Sequence, residues 1–147
     1  MVFNITEDFN YCIWFLPEKT HEWYTYPSGF SPHLSIKTCM DYDDIPQYKC
    51  ILDDNISIKI DLVGKLYQTN VNKFYALQYL VKPISKNIPK WWPENAHVSF
   101  RYKYNTPFTE EEIKNIDNTI KVRKANLNSI RIQRCTGHYT YWSQITS

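Results

Sequence analysis

Two short segments of this chain repeat one alternating pattern of residue types. His33–Lys37 reads His-Leu-Ser-Ile-Lys, and His97–Arg101 reads His-Val-Ser-Phe-Arg. Because side chains alternate between the two faces of a strand, each segment places an imidazole, a hydroxyl and a cation on one face and two apolar side chains on the other. The pattern therefore predicts two half-buried β-strands, each with one chemically functional face.

The rest of the chain is also rich in strand patterns. Apolar or alternating runs predict further strands at Tyr11–Leu16, Ile56–Leu62, Lys73–Val81, Ser129–Cys135 and Tyr139–Ile145. We expect the second and third of these to form a hairpin with its turn at residues 68–70, and the last two to form a hairpin around Gly137. Prolines interrupt the segments 17–32 and 83–95, and residues 41–48 suggest a loop with one helical turn.

One segment has a clear helical signature. Thr109 is followed by three glutamates, which predicts a capping box and favourable charges at a helix N-terminus. Ile113, Ile116 and Ile120 follow at helical spacing. With strands outnumbering helices and connections that suit antiparallel pairing, the predicted class is α+β.

Length and composition limit the possible functions. The 147 residues, 43% of them hydrophobic, predict a single domain over residues 1–147. A net charge of +2 is too small for bulk electrostatic binding of a long nucleic acid. The sequence suggests neither a leader peptide nor a membrane span, so we expect a cytoplasmic protein with four reduced cysteines. Abundant Ile, Lys, Asn and Tyr are typical of AT-rich coding sequence, as in some viruses, for which the location would be the host cytoplasm.

The repeated residues suit phosphoryl chemistry. Two histidines, with an ordinary pKa near ~6.5, can divide the tasks of general base and general acid, and which of the two takes each task stays open. Ser35 and Ser99 can donate hydrogen bonds to phosphate oxygens. No carboxylate cluster or Cys/His spacing indicates a metal site, so we predict no metal and no cofactor. His21 and His138, the latter in a third His-x-Thr pattern, are assigned no role.

The chain resembles the 2H phosphoesterases, whose members carry two His-x-Ser/Thr motifs on neighbouring strands. Within that superfamily it is most similar to the plant-type cyclic nucleotide phosphodiesterases, on the basis of Tyr11–Pro17, of Pro32–Ser35, and of His97–Tyr102 with the helix that follows. The resemblance implies a fold of two lobes, whose antiparallel sheets form a central cleft with few short helices. It also implies a single catalytic set, namely His33, Ser35, His97 and Ser99.

The same resemblance suggests residues that bind substrate. Trp14 and Tyr102 match positions at which the family places aromatic side chains beside the base, although Tyr102 faces the cleft only if the strand ends or bulges before it. Strand alternation, rather than the resemblance, makes Lys37 and Arg101 candidate phosphate contacts, because they share the faces of the histidines and serines. It also makes Trp142 a candidate for the cleft wall, because Trp142 shares a face with His138 and Thr140.

The expected function is a metal-independent phosphodiesterase that acts on a small nucleotide, either a 2′,3′-cyclic phosphate or a 2′-5′ or cyclic oligonucleotide. We expect it to work as a monomer. One alternative is a viral immune-evasion nuclease that degrades cyclic dinucleotide or oligonucleotide second messengers such as cGAMP. Another is a nucleotide-binding module without catalysis, and RNA-end processing is a third.

Overall fold

A computed structural model describes residues 11–25, 31–71, 74–135 and 143–145 of the chain. Within these residues one sheet contains the strands β1 (Tyr11–Pro17), β2 (His33–Met40), β3 (Ile58–Val71), β4 (Phe74–Pro83), β5 (His97–Tyr104), β6 (Lys124–Arg134) and β7 (Ser143–Ile145). The described helices are α1 (Lys49–Leu52), α2 (Glu110–Thr119) and two 3-10 helices, Glu22–Thr25 and Tyr42–Tyr48. None of these helices is long and apolar enough to cross a lipid bilayer.

The sheet closes on itself. Its strands follow the order β1-β2-β5-β4-β3-β6, each antiparallel to its neighbours, and β6 pairs again with β1, from Tyr11 opposite Arg134 to Pro17 opposite Leu127. Six strands thus form a closed barrel, and β7 adds to the end of β6. This architecture confirms the predicted α+β class and its antiparallel pairing. The described strands make one continuous sheet, in which a division into two lobes is not distinct.

The two faces of the sheet differ in character. Alternate residues of the strands form an apolar core on one face, together with Trp23; this core includes the fully buried Ile13, Leu34, Ile60, Leu77 and Val98. Because Leu34 and Val98 point into this core, their neighbours in the two His-x-Ser segments point to the opposite face. The functional side chains are therefore held by strands whose other side is anchored in the core.

Helix α2 begins as its sequence predicts. The Thr109 hydroxyl accepts a hydrogen bond from the Glu112 backbone N–H at 3.1 Å, and the Glu112 carboxylate accepts one from the Thr109 N–H at 2.9 Å. Ile113 and Ile116 pack against the core, and Ile120, directly after the helix, is buried. The capping box and the apolar stripe are both confirmed.

Removing this cap should cost a measurable part of the stability. We expect Thr109→Ala to lower the free energy of unfolding by about 1 kcal/mol, because the Glu112 N–H loses its acceptor. Urea denaturation followed by circular dichroism measures the change. Thr106→Ala, which alters an exposed residue outside the helix, is the control and should change stability by less than about 0.5 kcal/mol. Equal values for the two variants would contradict a stabilising role for the cap.

The hairpin of β3 and β4 differs from its prediction. Strand β3 continues through the residues predicted to turn, with Gln68 opposite Leu77 and Asn70 opposite Tyr75. The turn prediction at residues 68–70 was wrong, because polar side chains on a partly exposed strand resemble a turn in sequence. The pairing extends to Val71 opposite Phe74.

The observed limits of other elements also differ from the predicted ones. Strand β6 begins at Lys124 rather than Ser129, and the loop expected at residues 41–48 is a 3-10 helix that leads into α1. The predicted closing hairpin is confirmed at its strand ends, where Ile132 lies opposite Ile145. Its turn at Gly137 lies outside the described residues.

Strand β2 contains a bulge directly after its motif serine. Trp14 of β1 lies opposite Ser35, whereas Ile13 lies opposite Lys37, so Ile36 is an additional residue on β2. A bulge changes which face the following residues occupy. The simple alternation predicted for His33–Lys37 therefore ends at Ser35.

Strand β5 has a bulge at the equivalent position. Gln78 of β4 lies opposite Ser99, whereas Leu77 lies opposite Arg101, so Phe100 is the additional residue. Each His-x-Ser segment is thus followed by an irregularity one residue after its serine. The repeat seen in the sequence extends to the backbone.

Candidate functional site

The fold places the two His-x-Ser segments side by side. In the ladder between β2 and β5, His33 lies opposite Ser99 and Leu34 lies opposite Val98. Because the strands are antiparallel, one further step along this register puts Ser35 opposite His97. Each histidine is therefore the cross-strand neighbour of the other segment's serine, and all four side chains are on the face away from the core.

A cavity of about 420 Å³ opens on this face. Its wall includes Ser35, His97 and Ser99. His33 is only 1% exposed and lies behind this wall, against two of the wall's aromatic residues, Trp14 and Tyr102. The predicted set of four is brought together, but its two histidines differ in their access to the cavity.

Both imidazoles are oriented in the same way. The Nδ1 atom of His33 lies 2.8 Å from the Ser31 carbonyl oxygen, and Nδ1 of His97 lies 3.3 Å from the Asn95 carbonyl oxygen. Since a carbonyl only accepts, Nδ1 carries the hydrogen in each ring. The Nε2 atom of each neutral ring then keeps a lone pair for proton transfer. In both cases the carbonyl belongs to the residue two positions before the histidine.

Burial favours the neutral form of both rings. It lowers the pKa of His33 to about 3; the hydrogen bond to the Ser31 carbonyl opposes this shift, and the charge of His97 adds to it. Burial also lowers the pKa of the partly exposed His97, against the effect of its bond to Asn95. A bound phosphate anion would raise the pKa of each ring, because it stabilises the cationic form.

Trp14 packs directly on His33. The two rings are parallel within 6°, with their centroids 3.5 Å apart, and Trp14 is 3% exposed. One face of the indole is therefore occupied by the imidazole. Trp14 lines the cavity, but its contact with His33 leaves little of the ring for stacking on a base, the role that the resemblance suggested for it.

The bulge at Phe100 brings Tyr102 to the cavity. Strict alternation would turn Tyr102 away and Arg101 inward, but the extra residue reverses both positions. Tyr102 lines the cavity, and its hydroxyl oxygen is 3.4 Å from Nε2 of His33. Arg101 is not among the described residues of the wall, so the structure gives no support to it as a phosphate contact.

The structure places the remaining candidate residues in different surroundings. Lys37 is exposed and lines the cavity, and its ammonium lies 5.9 Å from the centre of the Tyr48 ring. Trp142 lies outside the described residues, as does His138. His21 is engaged in local structure: its Nδ1 accepts from the Trp23 N–H at 3.1 Å, and its Nε2 donates to the Lys124 carbonyl at 2.8 Å.

Sequence reasoning missed Gln78. This residue of β4 is 6% exposed, lines the cavity, and donates from Nε2 to the Ser99 hydroxyl oxygen at 3.3 Å. A single amide within the apolar run Phe74–Val81 was the available signal, because a buried polar side chain needs a partner.

Strands β3 and β4 supply a further part of the wall. Thr69 lies opposite Ala76, and Ala76 lies opposite Tyr102, so these three residues form a row across neighbouring strands. Phe74 continues this surface, with its ring centre 4.8 Å from that of Tyr102. The small side chain of Ala76 leaves space between a hydroxyl and two aromatic rings.

Two cysteines complete one side of the cavity. Cys12 and Cys135 are buried next to Trp14, and their thiols are free. Burial raises the pKa of the Cys135 thiol, as does its hydrogen bond with Cys12, so this group stays protonated and a poor nucleophile. In the described part of the chain no three His, Cys, Asp or Glu side chains come together as metal ligands.

No protein-family model matches this sequence, and no curated protein is significantly similar to it.

Proposed function

We propose that this protein is a metal-independent phosphodiesterase of the 2H type that acts on a small nucleotide. The observation that carries the proposal is the pairing of the two segments on neighbouring strands, in which His33 lies opposite Ser99, while Ser35, His97 and Ser99 line one cavity. A tetrahedral phosphate in the cavity would meet the hydroxyls of Ser35 and Ser99 and the imidazole of His97, with His33 directly behind the wall. The two lobes implied by the resemblance would then correspond to the halves of the sheet that contribute one motif each.

The side chains suit the steps of phosphodiester cleavage. One imidazole takes the proton of the attacking water or ribose hydroxyl, and the other protonates the oxygen that leaves. The hydroxyls of Ser35 and Ser99 donate to the non-bridging oxygens, where charge increases in the transition state. Nδ1 is held by a backbone carbonyl in each histidine, so Nε2 is the nitrogen that can exchange a proton. His97 borders the cavity, whereas Nε2 of His33 contacts the Tyr102 hydroxyl.

The cavity suits a small substrate. A volume of about 420 Å³ is within the range of small-molecule pockets, near its lower end. Phe74 and Tyr102 offer aromatic surface, and stacking on such surface contributes ~1–3 kcal/mol per base. The net charge of +2 gives little attraction for a long RNA. These features favour a mononucleotide or short oligonucleotide with a cyclic or 2′-5′ phosphodiester.

A substrate panel tests this proposal. Purified protein is incubated with 2′,3′-cyclic mononucleotides, with 3′,5′- and 2′-5′-linked cyclic dinucleotides, and with 2′-5′ oligoadenylate, in the presence of EDTA. We expect at least one compound to be hydrolysed, and chromatography of the products identifies the bond that breaks. Loss of a cyclic dinucleotide alone would favour the immune-evasion nuclease. No turnover of any compound would reject the phosphodiesterase.

A non-catalytic nucleotide-binding module is the second candidate. The burial of His33 behind Trp14 and Tyr102 favours it, because a general base needs access to its substrate. Calorimetric titration with the same panel distinguishes the two functions. Tight binding without product formation would establish the binding module.

A further inference from the structure

Tyr102 joins the two His-x-Ser segments through its hydroxyl group. Its oxygen is 3.4 Å from Nε2 of His33, and a hydrogen bond also links it to the Ser99 hydroxyl. Ser99 in turn accepts from Gln78. The side chains of Gln78, Ser99, Tyr102 and His33 therefore form a continuous polar chain from β4 to β2.

The direction of each hydrogen bond in this series of polar side chains is fixed by the Ser31 carbonyl, which is bonded to His33 at one end of the series. The Ser31 carbonyl can only accept, so His33 donates from Nδ1 and its Nε2 accepts. Tyr102 must then donate to Nε2, and the Tyr102 oxygen is left to accept from Ser99. Ser99 gives its hydrogen to Tyr102 and accepts from the Gln78 amide, which is consistent with the observed contact.

The hydrogen-bonded side chains differ in their access to the cavity. Tyr102 and Ser99 line the cavity, whereas His33 is 1% exposed and is covered by Trp14. The Tyr102 side chain, whose hydroxyl contacts Nε2 of His33, therefore lies between the cavity and the His33 ring. On this basis we propose that Tyr102 relays the proton of the attacking hydroxyl to His33, which makes His33 the base and His97 the acid.

The relay rests on the proposed function and deepens it. The attacking oxygen gives its proton to the Tyr102 oxygen while the phenolic proton of Tyr102 moves to Nε2 of His33. The attacking oxygen forms its bond to phosphorus, and the bond from phosphorus to the departing oxygen breaks with its electron pair. The departing oxygen takes the proton from Nε2 of His97. Exchange with solvent then removes the proton from His33 and returns one to His97.

Burial sets the resting protonation states of the groups in the relay. Burial holds the pKa of Tyr102 well above its ordinary value, so the hydroxyl keeps its proton until an acceptor takes it. Burial keeps His33 neutral, with a lone pair on Nε2, but it also opposes the cationic form that the ring takes on when it accepts the proton; a bound phosphate anion would offset this effect. His97 is more exposed and borders the cavity directly, where a bound phosphate favours its charged form.

The variant Tyr102→Phe separates the relay from base stacking, because it keeps the ring and removes only the hydroxyl. On whichever panel compound the wild type hydrolyses, we expect kcat to fall about 10²-fold or more, with the affinity for the product nucleotide within about threefold of wild type. Combining it with His33→Ala should give no loss beyond that of His33→Ala alone, because the two groups act as a unit. Tyr104→Phe is the control, since Tyr104 lies on the same strand as Tyr102 and its ring also contacts Phe74 of β4, and it should keep wild-type kcat.

A second readout does not depend on turnover. Nitrogen NMR of the histidine rings should show the Nε2 resonance of His33 shifting in Tyr102→Phe and staying unchanged in Tyr104→Phe. Wild-type kcat in Tyr102→Phe, or an unchanged Nε2 resonance, would overturn the relay while the phosphodiesterase stands. A wild type inert towards the whole panel would instead overturn the proposed function, and the relay with it.

Discussion

Replacing His97 with alanine is expected to lower kcat by about 10²–10⁴-fold, the contribution typical of general acid–base catalysis. His97 borders the cavity directly and offers Nε2 to a bound phosphate, because Nδ1 is held by the Asn95 carbonyl. The substrate compound identified in the panel serves for the measurement. Since His97 is partly exposed, the variant should unfold at nearly the wild-type temperature.

The control for this variant is His21→Ala. It makes the same chemical change at a histidine whose contacts are with Trp23 and the Lys124 carbonyl, outside the wall of the cavity. We expect its kcat to equal that of the wild type. Turnover retained by His97→Ala would remove the basis for two-histidine catalysis.

Acid should destabilise this protein through His33. In the unfolded chain His33 has an ordinary pKa near 6.5, whereas burial lowers the folded value to about 3. Between these values the unfolded state binds a proton that the folded state does not, so the free energy of unfolding falls as the pH falls. The stabilisation is complete above pH 6.5 and is lost progressively towards pH 3. Over the whole interval the loss is roughly 5 kcal/mol, comparable with the total stability of a small domain.

Urea denaturation at pH 7.5 and pH 4.5 measures this effect. His33 alone should account for a loss of about 3 kcal/mol between the two conditions. His33→Asn is the matched variant, because its side-chain amide can still donate to the Ser31 carbonyl but does not titrate. We expect the pH dependence of the variant to be smaller than that of the wild type by about this amount. Identical pH dependence in the two proteins would mean that His33 is not buried in its neutral form.

Local sequence patterns predicted much of the fold. The capping box at Thr109 and the apolar run that forms β1 each depend on neighbouring residues, and both were identified correctly. The order of the strands and the pairing of β6 with β1 depend on contacts between distant parts of the chain. Periodicity alone carries no information about such contacts, so the closed barrel was not foreseen.

In the site, too, features that depend on neighbouring residues were predicted, and features that depend on pairing between strands were not. The segments that carry His33 and His97 were found because their alternation is local, and the structure places them next to each other. The positions of Arg101 and Tyr102 depended on a bulge at Phe100, where neither glycine nor proline marks an irregularity. Whether a strand bulges there is decided by its pairing with β4, which the sequence does not reveal.

The second pairing of β1 has a consequence for how the protein acquires its site. Trp14, which covers His33, lies on a strand that β6 must flank, at Arg131, before the ring of strands is complete. During synthesis on a ribosome, residues 127–134 emerge long after β1 and β2 do. A nascent chain therefore lacks the support that fixes the imidazole of His33. We expect the arrangement of Trp14 over His33 to become fixed only once the barrel has closed.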